Sequence, residues 1–382
     1  MKTNEQRKGL WTYISSDHRY MFLTASVIAA LCFALSRIAP SPLSFIGNSF
    51  ASVLLALCIA YGFLSAVVLI AKLKNWKNFD NSWARRPAFW KAGKIFSILI
   101  WVICILFVMD RLVLKLIYTV QVSLSSEKNP QGFLSSMIYM TWEKRSFFIK
   151  GVATTVEIAL AGTAIAFVLG ILMAFMRIQK PGKRDNDFIK FIKTFVSKFA
   201  GFYIFVIRGT PMMVQALIFY YAGFGLFKMN SGMTITEINK VWSFFVSGLI
   251  TVALNSTAYL AEVLRGGIES IDVGQSEAAR SLGMTEWQTM LQVVFPQAVK
   301  ISIPSIGNEF IINIKDSSVL SVIGVFDLMY ATTSVSGIYF RSLEIYCVAA
   351  LLYLFLTWLS SLLLKQVAHK LDMPVKELPS QN

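Results

Sequence analysis

Gly274-Gln-Ser-Glu-Ala-Ala-Arg-Ser-Leu-Gly-Met-Thr-Glu-Trp-Gln-Thr-Met-Leu-Gln-Val-Val-Phe-Pro296 lies between two apolar runs, near 242–264 and 300–325, and is unusually structured for a loop between membrane spans. It reads as two short helices. Gly283 falls just after a helix-forming stretch, where a left-handed C-terminal cap is easily adopted, and Thr285 with Gln288 three residues on has the spacing of a capping box. The turn between the helices is therefore well specified. Ala278, Ala279 and Gly283 offer a face without bulk, which lets another protein approach closely, and Pro296 is expected to end the second helix before the membrane is re-entered. Such a segment can transmit force. The plain alternative is an ordinary helical hairpin on the membrane surface.

The rest of the chain supplies the membrane. Of 382 residues, 55% are hydrophobic and 15% charged, and the mean hydropathy is +0.60, well outside the range of a soluble globular domain. A spanning helix needs about 20 largely apolar residues. Eight stretches qualify as candidates, near 21–38, 49–72, 95–118, 149–176, 200–226, 242–264, 300–325 and 345–364. The fold class is thus an all-α membrane protein. The balance of 36 basic against 21 acidic residues, +15, sits in short clusters between the apolar runs, so it reads as topology and not as nucleic-acid binding. Lys2, Arg7, Lys8 and Arg19 mark the N-terminal tail. Lys72, Lys74, Lys77, Arg85, Arg86 and Lys91 mark a second segment, and Arg177, Lys180, Lys183, Arg184 and Lys190 a third. By the positive-inside rule these face the cytoplasm, and both termini are then expected inside. Lys128, Lys144, Arg145 and Arg341 fall on external segments, so the rule holds on balance. No cleavage site follows the first apolar run, and a removable signal peptide is not expected. Cys32, Cys58, Cys104 and Cys347 lie inside apolar stretches without disulfide or metal spacing and read as small buried hydrophobes.

Polar residues inside the spans are the candidates for function. Asn255, Tyr259 and Glu262 are spaced i, i+4 and i+7, on one side of a helix, and Glu309, Asn313 and Asp316 form a second row beside Asn308. They either line a solute pathway near the bilayer midplane or act as polar glue between helices, pairing with Asn308, Lys315 or backbone. Arg208-Gly209-Thr210-Pro211 follows only a short apolar stretch from the third basic cluster. Gly209 and Pro211 suit a kinked hinge there, or the start of a helix with Pro211 in its first turn. Asp110, Arg111 and Lys115 fall in the third apolar run, where a charge pair used in packing is favoured over a functional site. Residues 1–145 contain no recognisable site and read as a three-span extension.

The spacing Glu277-Ala278-Ala279, Gly283, Val293, Phe295-Pro296 resembles the EAA loop of ABC importer permeases. Val293 and Phe295 stand where that family usually has isoleucine and leucine, apolar replacements that keep the anchoring. The likeness extends over about residues 146–371. It includes Arg208-Gly-Thr-Pro211, Asn255-Ser-Thr-Ala-Tyr259-Leu-Ala-Glu262-Val-Leu-Arg265-Gly-Gly267, Pro304-Ser-Ile-Gly307-Asn308-Glu309-Phe310, Lys315-Asp316-Ser317 and Phe340-Arg341-Ser-Leu-Glu344. Together these resemble the polar amino acid subfamily, the histidine, glutamine, glutamate and arginine importers. The resemblance implies a five-span permease core over 146–371 with its coupling loop at 272–296, preceded by the extension over 1–145 and followed by a cytoplasmic tail at 372–382. It implies as partners ABC ATPase subunits, which bind ATP and magnesium, an extracytoplasmic amino acid binding protein and a second permease protomer. It further implies a bacterial plasma-membrane location and contact of Glu277 and Gly283 with the ATPase.

No Gly-x-x-x-x-Gly-Lys-Ser/Thr phosphate loop occurs in the chain, so ATP hydrolysis belongs to another subunit and no cofactor is expected here. The intramembrane carboxylates alone would also suit an ion-gradient-driven carrier, which leaves the 277–296 loop unexplained. A membrane enzyme is the weakest reading, because His18 and His369 stand near polar ends with no acid–base or metal cluster around them.

Overall fold

The computed structural model describes residues 18–74, 86–183 and 185–370, and among these it is helical with no strand. The tail at 372–382 and the basic residues Lys2, Arg7, Lys8, Lys77, Arg85 and Arg184 lie outside the described residues. The chain divides into two compact units, Met1–Tyr139 and Met140–Asn382.

The first unit contains α1 (His18–Ser36), α2 (Asn48–Lys74), α3 (Pro87–Phe107) and α4 (Leu114–Ser125). A wide π-type turn, Val108–Val113, joins the last two without a break. Cys32, Cys58 and Cys104 are buried in one apolar core with Ile100, Ile103 and Phe107, as expected of small hydrophobes. The π turn carries Asp110 and Arg111, both buried, and so brings two consecutive charges inward. Asp110 accepts the backbone N–H groups of Phe45 and Ile46 at 2.7 and 3.1 Å and the Ser44 hydroxyl at 2.5 Å. Arg111 pairs with Asp110 at 3.2 Å and donates to the Ile46 carbonyl at 3.2 Å. The charges thus fasten the loop between α1 and α2, the packing role the sequence favours.

A helix α5 (Phe133–Glu143) leads into the second unit. There follow α6 (Arg145–Arg177), α7 (Asp187–Gly209), α8 (Met212–Ser231), α9 (Ile235–Val241) and α10 (Phe244–Glu269). Next come α11 (Val273–Ser281), α12 (Glu286–Thr289), α13 (Phe295–Asp316), α14 (Leu328–Tyr339) and α15 (Ser342–Lys370). The centre of this unit is α10, whose apolar window is 61% buried against 39% for α6 and 11% for α8. Its main partner is α6. Lipid tails are as apolar as leucine, so close approach of small residues drives such packing. The buried residues of α6 are mostly small, with Gly151, Thr155, Ala159, Gly162, Thr163, Ala166, Gly170 and Ala174 beside only two large side chains, Phe148 and Ile158. At Gly170 an added Cβ would stand 3.1 Å from the Leu260 Cβ on α10, closer than packed side chains tolerate.

Among the described residues, six helices are long and apolar enough to cross a membrane: Asn48–Val68, Pro87–Ser125, Arg145–Arg177, Met212–Met229, Phe244–Glu269 and Ser342–Ala368. A seventh is the pair Glu286–Ile323 and Leu328–Tyr339, bent by 53°, if it is counted as one span. Six or seven spans among the described residues accord with the expected count of about eight. The first candidate, 21–38, falls on α1 (His18–Ser36), a 19-residue helix about 28 Å long whose apolar stretch within the described residues is Thr24–Ser36. The broken span is closed by local bonds: Asp327 caps α14 by accepting the Tyr330 N–H at 2.8 Å, and the Leu328 N–H donates to Thr155 at 3.1 Å. Irregular backbone is tolerated at such depth when protein satisfies it.

Candidate functional site

Two places gather the residues singled out by the sequence. The first is the loop from 272 to 296. Asp272 caps α11 by accepting the Gly274 N–H at 2.6 Å, and α11 ends at Gly283, which adopts the left-handed conformation with φ 84°. The Met284 N–H then reaches back to the Ala279 carbonyl at 3.2 Å. Thr285 and Gln288 form the anticipated capping box, with Thr285 accepting the Gln288 N–H and Gln288 accepting the Thr285 N–H. Glu277, Ala278 and Gly283 are exposed, whereas Ala279 is buried. Leu282 at 86% exposure and Trp287 at 58% leave apolar surface uncovered on this turn.

Pro296 departs from expectation, since it does not end the second helix. From Met290 to Val294 the chain widens into a π turn, with the Phe295 N–H bonded to the Met290 carbonyl, and α13 continues through Pro296. A proline lacks an N–H and its ring crowds the carbonyl four residues back, and the wider turn immediately before it relieves both problems. The loop is thereby continuous with the span that follows. It is anchored from α6 by Phe175, whose ring lies 5.8 Å from Trp287 and 5.1 Å from Phe295.

The second place is a cavity of about 520 Å³ lined by Arg208, Tyr259, Glu262, Val263, Pro304, Ser305, Asn308 and Glu309. It joins residues from α7, α10 and α13. Arg208, in the last turn of α7, lies over the Tyr259 ring at 5.1 Å. Glu262 is already engaged, paired with Arg265 at 2.6 Å, and Arg265 also binds Glu269 at 2.5 Å. Glu309 is 8% exposed and, like Arg208, forms no ion pair among the described residues. The cavity thus presents one cation and one carboxylate, neither of them in an ion pair among the described residues.

The remaining members of the two rows stand elsewhere. Asn255 is buried and donates to the Gln215 side chain at 2.9 Å. Gln215 in turn donates to the Ile207 carbonyl at 2.7 Å and to both the carbonyl and the hydroxyl of Thr210. This is the break itself: α7 ends at Gly209 and α8 begins at Met212, with Pro211 as its N-cap. The hinge and helix-start readings of 208–211 therefore describe one feature, stitched by Gln215. Asn313 joins three helices, accepting from Ser256 at 3.0 Å and donating to Thr163 at 2.9 Å. Asp316 is exposed at the end of α13. Asn255 and Asn313 are thus interhelical polar contacts, and replacement of Asn313 by leucine takes the acceptor from the buried Ser256 hydroxyl and leaves Thr163 bonded only to the Ala159 carbonyl. The variant is expected to lose about 1–3 kcal/mol of stability, read by thermal unfolding in detergent, with substrate preference unchanged.

Sequence reasoning did not single out Ser305, Val263 or Gln215. Gln215 carried a usable signal, four residues after Pro211, where a side-chain amide can reach back over a helix start.

The fold and the two sites define a membrane component of a binding-protein-driven importer. The chain belongs to the family of binding-protein-dependent transport system inner membrane components, whose profile matches residues 166–373. It is 32% identical over 232 residues to the glutamine transport system permease protein GlnP of Escherichia coli (strain K12), covering 61% of this chain and 96% of that protein. It is 34% identical over 222 residues to the probable glutamine ABC transporter permease protein GlnM of Bacillus subtilis (strain 168), covering 58% and 91%. The nopaline transport system permease protein NocM of Agrobacterium fabrum is 32% identical over 217 residues, covering 56% and 83%. Among solved structures, an amino acid ABC transporter with histidines is 34% identical with a TM-score of 0.51, covering 63% of this chain and 99% of that one. The resemblance read from the motifs is thereby shown, and the chain is a multi-pass inner-membrane permease.

Proposed function

We propose that this permease passes polar amino acids across the bacterial plasma membrane through the Arg208–Glu309 cavity, driven by separate ABC ATPase subunits and supplied by an external binding protein. The observation that carries the reading is that the cavity holds one guanidinium and one carboxylate, neither tied up in an ion pair among the described residues. An α-amino acid brings a carboxylate and an ammonium group on one carbon, so Arg208 and Glu309 offer each a partner, while Tyr259, Asn308 and Ser305 supply polar contacts. Named relatives carrying glutamine and nopaline support the substrate class. An ion-gradient carrier is set aside, since the family is binding-protein-dependent.

In this reading Glu277, Ala278 and Gly283 meet the ATPase, the buried Ala279 packs beneath them, and Pro296 lies where the loop passes into α13. Closure of the ATPase pair favours one conformation of the loop, and α13 carries that preference to Asn308 and Glu309. The break at Gly209–Pro211 lets α7 and α8 move against each other beside the cavity, and a second permease protomer, identical or related, completes the pathway. Both termini face the cytoplasm. Residues 146–371 form the transport core, preceded by the three-span extension over 1–145.

The test is ATP-dependent uptake of labelled amino acids into proteoliposomes holding the chain with its ATPase and binding protein. Glu309→Gln is expected to lower the maximal uptake rate about tenfold or more, the value of one charge-assisted contact. Apparent affinity, set by the external binding protein, stays near wild type. Uptake unchanged in Glu309→Gln and in Arg208→Gln would overturn the cavity as the pathway.

A further inference from the structure

The segment leading to the cavity carries a surface that the transport cycle does not use. On α7, Phe188, Phe191, Phe195, Phe199, Phe202 and Phe205 recur at spacings of three and four residues, so they form one stripe. All six are 49–76% exposed. The helix packs through the opposite side, where Ala200, Ile204 and Ile207 are buried, with Ile204 and Ile207 set against Ala258 and Ala261 of α10. A stripe of this size left in water would be a large uncovered apolar patch.

Charge indicates what covers it. From Arg177 to Lys198 the sequence has seven basic residues, Arg177, Lys180, Lys183, Arg184, Lys190, Lys193 and Lys198, against Asp185 and Asp187, so 7 − 2 gives +5. Asp185 is itself taken up: Lys193 at 2.8 Å and the Gly182 N–H at 2.7 Å hold its carboxyl below the usual carboxylate range. Position adds a second constraint. The Ser197 hydroxyl donates to the carbonyl of Arg177, the last residue of α6, at 3.0 Å, so residues 187–196 continue past the basic end of that helix. At 1.5 Å per residue they add about 15 Å of helix. Together α7 and α8 would reach about 65 Å if laid end to end, twice the hydrocarbon thickness. The surplus has to lie beside the membrane, and phenylalanines on one face with lysines around them suit the boundary between headgroups and acyl chains.

We infer that the first half of α7, residues 187–199, is an in-plane anchor on the inner leaflet, with its phenylalanines in the acyl region and the surrounding lysines on anionic phospholipid headgroups. Because this helix runs directly into Arg208, leaflet charge then sets the resting position of one wall of the cavity. The inference does not depend on which solute the cavity carries.

The test uses nitroxide labels at Phe188→Cys, Phe191→Cys and Phe195→Cys, one at a time, in the chain assembled with its ATPase. The host is vesicles of phosphatidylcholine with phosphatidylglycerol, in a Cys347→Ser background. Cys32, Cys58 and Cys104 are buried away from the reagent. An in-plane anchor gives high collision with oxygen, low collision with a water-soluble nickel chelate, and the same shallow depth at all three sites. A crossing helix gives a depth that rises by about 10 Å from 188 to 195. A face covered by a second copy or another subunit gives low collision with both agents, and a face in water gives high nickel collision. Each of these three results overturns the proposal. Omitting phosphatidylglycerol is expected to move the labels toward water in the otherwise unaltered chain and to have no such effect when Lys180, Lys183 and Lys198 are changed to Gln. A shift of equal size in both would remove the lysines from the anchor.

Discussion

Gly283→Asp is expected to abolish most ATP-driven uptake, by tenfold or more, while the permease itself stays folded. The backbone at Gly283 has φ 84°, where a residue with a Cβ is strained, yet an added Cβ there meets no atom within 4 Å. Packing therefore contributes nothing to the penalty. An alanine pays the left-handed cost of about 1–2 kcal/mol, and an aspartate less, because its short polar side chain enters that region more readily. If Gly283 mattered only for the turn, Gly283→Ala would be the more damaging change. If it is where the ATPase closes on the loop, Gly283→Asp is worse, since an unpaired carboxylate pressed into an interface costs about 1–3 kcal/mol or more in desolvation, enough for tenfold. Uptake in proteoliposomes, with retention of the ATPase during co-purification, separates the cases. Greater loss in Ala than in Asp, or no loss in either, refutes the contact assigned to this residue.

The contrast between what was legible and what was not follows the range of each interaction. The Gly283 cap and the Thr285–Gln288 box are bonds within four residues, and both stand as their spacing indicated. Pro296 was misread through an equally local rule, because the rule assumes an α-helical carbonyl four residues back and the Met290–Val294 turn is wider than that. Helical period put Asn255 on a row with Tyr259 and Glu262, but it says nothing of what approaches from outside. Gln215 meets Asn255 from a helix forty positions earlier, and Thr163 meets Asn313 across 150. Each of the two rows thus splits between the cavity wall, with Tyr259, Glu262 and Glu309, and a helix junction at Asn255 or Asn313. The convergence of Arg208 with Glu309 is likewise a property of three packed helices and appears in no window of the sequence. Composition located the spans but not their shape: the 300–325 run is bent after Ile323 into a second helix.

The largest loss of stability is expected in the extension, from Asp110→Ala. Its carboxylate gathers two backbone N–H groups, a serine hydroxyl and a guanidinium, all in a region where both charged side chains are at most 2% exposed. Truncation leaves Arg111 buried with only the Ile46 carbonyl near its charge, and breaking a buried pair in this way costs about 3–5 kcal/mol. It also frees the loop residues Ser44 to Ile46, so added protease should cut there in the detergent-solubilised variant and not in the parent. Asp110→Asn keeps an acceptor for Phe45 and Ile46 but leaves the guanidinium uncompensated, and falls between the two. The decisive comparison is the double change Asp110→Leu with Arg111→Leu. Replacing both charges by apolar groups removes the stranded cation while the loop N–H groups still lack their acceptor, so the double variant should unfold at a temperature between Asp110→Ala and the parent. If the double change is no better than Asp110→Ala, the loss comes from the loop bonds alone, and the ion pair contributes nothing to holding α1 and α2 against the Val108–Val113 turn.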